Sequence, residues 1–150
     1  MLPITLFERI TAAYGLRTSL SPRERRGSVR VDIRGRALMC FIVGGMASTS
    51  CEVRLREISR SGLSILHDSR IRVGQELLLR LTTKDSNRFW LWCRCRRCNS
   101  ADPLCNLVGM SISRVLLPGQ DIKLGTDLNQ LLWLDVEGEQ TPEDPFAAAA

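Results

Sequence analysis

From Val29 the chain alternates. Val29, Val31 and Ile33 are separated by Arg30, Asp32 and Arg34, the period-two pattern of a half-buried strand. "RALMCFIV" continues as strand until Gly44-Gly45 breaks it, and Cys51, Val53 and Leu55 then alternate with Glu52, Arg54 and Arg56. Further strand-like runs follow in "LSILH", "QELLLRLTT", "RFWLWCRCRRC" and "LVGMSIS", with turn-rich segments between them. Short strands at regular spacing predict an antiparallel barrel or sandwich.

The two ends read differently. Ile4, Phe7, Ile10 and Tyr14 fall at helical spacing over residues 4–16, and Gly15 is a stop signal. "RTSLSPRERRGS" is polar and turn-rich and reads as a connector. "LGTDLNQLLWLDV" predicts a C-terminal helix, capped by Thr126 or Asp127, with Leu128, Leu131, Leu132 and Val136 on one face. The acidic stretch "EGEQTPEDPFAAAA" holds two prolines and reads as a disordered tail. The organisation expected is a helix and connector over 1–22, a β-domain over 23–116, a helix over 117–136 and a tail over 137–150.

Composition narrows the class. The chain has 150 residues, of which 44% are hydrophobic, enough for one domain with a core. No apolar run approaches the roughly 18 residues a membrane span needs. The start, "MLPITLFERITAAYGL", lacks a basic segment and carries Glu8 and Arg9, so no secretory signal is expected. The six cysteines then read as thiols rather than a disulfide framework.

The net charge of +5 hides an asymmetry. Residues 1–114 hold 20 basic against 9 acidic side chains, and residues 115–150 hold one against 7. Of the 21 basic residues 19 are arginine. The guanidinium fork grips phosphate and the guanine edge at two points, whereas lysine acts as a point charge. A phosphate-bearing partner is the first expectation.

Two segments carry candidate chemistry. "SPRERRGSVR" gathers Arg23, Arg25, Arg26 and Arg30 before the first alternating strand. "EISRSGLSI", from Glu57, separates two strands and offers the Ser59 hydroxyl and a flexible Gly62. Each alone is ordinary: a solvated basic connector, and a turn.

Taken in order, Arg26-Gly-Ser-Val-Arg30 and Glu57-Ile-Ser59-Arg-Ser-Gly62 resemble the paired motifs of the PilZ family of cyclic di-GMP receptors. That family carries Arg-x-x-x-Arg before its first barrel strand and Asp/Asn-x-Ser-x-x-Gly between two later ones. "LVGMSIS" is similar, more loosely, to its late Val-Gly strand. The resemblance spans about residues 23–116. It implies a mostly β fold, a PilZ-like six-stranded antiparallel barrel with short flanking helices. It also implies a cytoplasmic bacterial receptor, not an enzyme, that binds the nucleotide and signals to a protein partner.

On that resemblance, Arg26 and Arg30 clasp phosphate and guanine with Arg25 assisting, Glu57 accepts from guanine N1–H and N2–H, Ser59 adds a polar contact and Gly62 keeps the turn tight. Arg23, Arg60 and Trp92 are possible further contacts, Trp92 by stacking. Position 57 departs from the family: Glu keeps the acceptor but adds a methylene. Two other readings stay open. One is an adaptor of the same fold that binds no nucleotide, which Glu57 favours. The other is a basic nucleic-acid binder, against which the scarcity of aromatics and the lack of a recognition helix count.

The remaining chemistry is thin. Cys95-Arg-Arg-Cys98 has the spacing of a zinc knuckle, and Cys93 and Cys105 would complete four ligands. Buried thiols used as small core residues are the simpler reading. His67 is the single histidine and has no nucleophile partner in the local sequence, so neither catalysis nor a cofactor is expected.

Overall fold

Gly44 and Gly45 both take positive φ, 60° and 75°, the backbone of a tight hairpin turn whose twist matches that of its strands. They join β3 (Arg36–Val43) to β4 (Met46–Ile58). The computed structural model describes residues 1–20, 30–123, 125–137 and 145–146, those of 16–20 by backbone alone. Helix α1 (Ile4–Tyr14) leads into β1 (Gly15–Leu20) and β2 (Val31–Ile33). After the hairpin come β5 (Gly62–His67), β6 (Glu76–Thr82), β7 (Arg88–Asp102), β8 (Cys105–Leu116) and β9 (Trp133–Asp135).

Antiparallel pairing runs β4-β3-β6-β7-β8-β5, and β5 pairs back onto β4. That closes a six-stranded antiparallel barrel, one of the two architectures the strand spacing allows. β2, with β1 beyond it, adds to β4, and β9 adds to β8. The interior is filled by Met39, Leu55, Ile65, Leu79, Leu91, Val108 and their neighbours, all nearly inaccessible. Among the described residues, no helix is long and apolar enough to cross a membrane.

The first helix forms where helical spacing predicts it and buries most of the expected face. Ile10 joins the barrel core and Phe7 and Tyr14 pack against it, but Ile4 is 52% exposed and Leu6, with Leu2 ahead of the helix, takes its place in the core. Tyr14 ends the helix with its hydroxyl accepting from Thr82 N–H at 2.8 Å. The connector expected after it begins as strand β1, because β2 offers it an unpaired edge.

The C-terminal helix does not form. Residues 128–130 make one 3₁₀ turn, followed by β9. Asp127 does cap, accepting from Asn129 N–H at 3.0 Å. Two tertiary demands then override the helical pattern. The edge of β8 is free to pair with Trp133, Leu134 and Asp135. The strand also splits its side chains usefully, sending Leu134 toward the core and Trp133 to a second apolar cluster outside the barrel.

That outer cluster unites Cys40, Ile42, Leu78, Trp90, Trp92 and Leu116 on the outer wall with Ile122 and Leu128 from the C-terminal segment. The segment straps across the wall. Gln120 clamps the Leu132 backbone at both N–H and C=O, at 2.8 and 3.0 Å. Trp90 Nε1 donates to Asp121 at 3.0 Å. Burial opposes ionisation of Asp121, but the Trp90 and Ile122 donors, with Arg88 and Arg80 nearby, hold its carboxyl below the usual carboxylate range. Further on, Phe146 is buried against Phe89, edge to face with centroids 5.6 Å apart. Of the expected tail, residues 138–144 and 147–150 lie outside the described residues.

Candidate functional site

A bulge positions the site. Leu55 pairs with Ile65, but the next pair is Glu57 with Ser64, so β4 carries one residue more than β5. Leu55 and Ile58 both face the core, while Arg56 and Glu57 both lie outside. β7 repeats the device: Cys95 pairs with Met110 and Arg97 with Gly109, leaving Arg96 extra. Cys95 and Cys98 turn inward, and Arg96 and Arg97 stand exposed side by side. Bulges re-aim side chains in this way and recur next to functional sites.

Between the two bulges lies an open cavity of about 230 Å³. Arg30, Glu57 and the Ser59–Gly62 turn line one side, and Arg96, Arg97 and Ser111 the other. Arg30 stands just before β2, whose Asp32 pairs with Glu57 in the sheet. Its Nη1 lies 3.6 Å from Glu57 Oε1, with both side chains substantially exposed. A pair this open to solvent adds little stability. Its weight is in placement: a fork donor and a carboxylate acceptor share one rim.

Ser59 is committed to the turn. Its N–H donates to Gly62 O at 2.8 Å, and its hydroxyl accepts from Gly62 N–H at 3.2 Å and lies 3.3 Å from Gly62 O. It is 9% exposed. Gly62 is required for space rather than for a left-handed backbone. A Cβ there would stand 2.5 Å from Met110 O, across the β5–β8 pairing. Gly62→Ala should therefore destabilise the fold by about 1–3 kcal/mol, the usual range for overpacking. Thermal unfolding checks this, and an unchanged Tm would contradict it.

The other expected residues are dispersed. Arg60 turns away from the cavity: its Nε donates to Leu2 O at 2.9 Å and its carbonyl accepts from Leu2 N–H. Trp92 sits in the outer cluster, edge to face with Trp133 at 5.2 Å and under the Arg114 guanidinium at 4.9 Å. Arg23, Arg25 and Arg26 lie outside the described residues.

The cysteines do not converge. Cys93 and Cys95 share the core face, as their alternation predicts, and burial pushes both thiols up. Cys98 Sγ accepts from Ile71 N–H at 3.4 Å, while Cys105 Sγ lies 3.5 Å from an Arg54 nitrogen. Among the described residues, no group of three or more His, Cys, Asp or Glu side chains could hold a metal.

Arg96 and Arg97 were missed by reading β7 as an unbroken alternation. That pattern sends Arg96 outward with Trp90 and Trp92 and Arg97 inward with Cys93 and Cys95; the bulge turns Arg97 outward beside Arg96. Arg96 now donates from Nε to Ser111 Oγ at 2.9 Å, and its guanidinium lies 3.8 Å from Glu137. The Arg97 stem and guanidinium lie over Gly109, whose missing side chain leaves room for them. The nearest signal in the sequence was Arg96-Arg97 itself, a doubled outward residue inside a strand. Comparison with known proteins finds no matching family model and no matching curated protein.

Proposed function

We propose that this chain is a receptor for cyclic di-GMP, binding it at the Arg30–Glu57 cavity and signalling to a protein partner. One observation carries the reading. Arg30, the last residue of one PilZ-like segment, and Glu57, the first of the other, line a single cavity and face each other across 3.6 Å.

The chemistry of the lining suits the ligand. Arg30, Arg96 and Arg97 offer fork donors for two phosphates and for guanine O6 and N7. Glu57 offers the inverse contact, accepting from guanine N1–H and N2–H. A cavity of about 230 Å³ takes only part of such a dinucleotide. In this reading Arg25 and Arg26, which lie outside the described residues, supply further contacts to the ligand, and binding alters the surface offered to a partner. The role makes and breaks no covalent bond.

The Arg30–Glu57 pair also favours a second reading. The two groups satisfy each other within the chain, as in a barrel that serves as an adaptor without nucleotide. A calorimetric titration with cyclic di-GMP, run on the native chain and on Glu57→Asp, separates the two. Saturable binding by the native chain supports the receptor. Binding only after Glu57→Asp supports the adaptor. Absence of binding in both overturns the receptor reading.

A further inference from the structure

A larger concavity, of about 460 Å³, lies on the other side of the β4 bulge. Arg34 and Arg36 flank it from the β2–β3 corner and Arg54 and Arg56 from the outer face of β4, with the half-buried Leu66 beside them. All four arginines are exposed. Arg36 is held by Glu52 at 3.0 Å, and Arg54 lies 3.5 Å from Cys105 Sγ. Among the described residues, Arg34 and Arg56 have no ion pair, and the only carboxylate in the lining is Asp32. A neighbouring concavity shares Arg36, Arg54 and Leu66 but adds Glu52 and Asp68, so the basic stretch ends there.

We propose that this groove docks an extended acidic segment of a protein partner, with Asp or Glu at alternate positions. Arg54 and Arg56 are two residues apart on β4, a spacing of about 6.6 Å on a strand, which is also that of alternate side chains in an extended peptide. Arg36 pairs across the sheet with Arg54, and Arg34 stands at the corner beside them. Leu66 accepts the methylenes of the docked side chains. Single-stranded nucleic acid is the poorer fit, because no aromatic side chain lines the groove to stack a base. Strand addition is closed as a mode, since β4 is already paired along both edges. Recognition falls to the guanidinium groups, and it needs no nucleotide in the adjacent cavity.

The test is fluorescence anisotropy of a labelled peptide of about eight residues with Glu at alternate positions. A matched Gln peptide and a single-stranded oligonucleotide of similar length serve as comparators. The Glu peptide should bind the full chain and weaken steeply with salt. The charge reversal Arg34→Glu with Arg56→Glu should raise its Kd about tenfold or more, a loss of ~1.4 kcal/mol. Arg34→Gln with Arg56→Gln should shift it in the same direction, and this pair decides if the reversal disturbs the fold. Arg30→Ala should leave peptide affinity within about twofold. Equal binding of the Gln peptide, tighter binding of the oligonucleotide, or an unchanged Kd in the folded variant would each overturn the proposal.

Discussion

Arg30→Ala should raise the Kd for cyclic di-GMP about thirtyfold or more, corresponding to ~2 kcal/mol or more of binding free energy. The barrel should stay folded. Arg30 precedes β2, is more than half exposed, and among the described residues its one ion pair is with Glu57 at 3.6 Å. In the proposed complex, truncation removes a fork donor and leaves the Glu57 carboxylate uncompensated beside a ligand that carries two phosphates. Arg30→Lys restores the charge without the fork and should recover only part of the affinity. Calorimetry gives the affinities, and circular dichroism checks the fold. An unchanged Kd in Arg30→Ala would remove the central residue from the proposed site.

Trp92→Ala should destabilise the protein by about 3–5 kcal/mol, the range for emptying a buried aromatic site. Trp92 is 7% exposed and holds three things at once: the outer wall of β7, the Trp133 edge and the Arg114 guanidinium. Its loss unseats the strap as well as opening a void. Amide exchange should rise first at Leu132, whose N–H is held only by Gln120, and along β9. Urea titration measures the stability. A loss below about 1 kcal/mol would mean that the strap and the wall are not energetically joined.

Much of the barrel is legible in the chain. Gly44-Gly45 marks a hairpin because both positions need positive φ, and Val53 and Leu55 alternate because one face of β4 is core. Legibility fails where a residue answers to distant neighbours. Leu128, Leu131, Leu132 and Val136 fit a helix equally well, until the β8 edge and Trp92 draw Trp133 into a strand. Trp90 and Trp92 share one strand face in sequence, where a packed pair is the simpler reading than a stacking platform, and the covered outer wall bears out packing.

The site divides in the same way. Glu57 and Gly62 are visible as a turn motif, and Arg30 as part of a basic cluster. The Arg96-Arg97 pair is not, because only the bulge turns Arg97 outward, against strict alternation, to stand beside Arg96. The four groove arginines look like two ordinary solvated strand faces in sequence. Only the sheet corner that brings β2 and β3 beside β4 turns them into one basic surface.

All three tryptophans of the chain, Trp90, Trp92 and Trp133, belong to the outer cluster. None lines the Arg30–Glu57 cavity or the arginine groove. Ultraviolet emission from this protein is thus a local gauge of whether the C-terminal segment is seated on the wall. A ligand in the cavity has no indole beside it to quench. Any change in emission colour on binding would report motion passed from the cavity to the C-terminal segment, whose Glu137 lies 3.8 Å from Arg96.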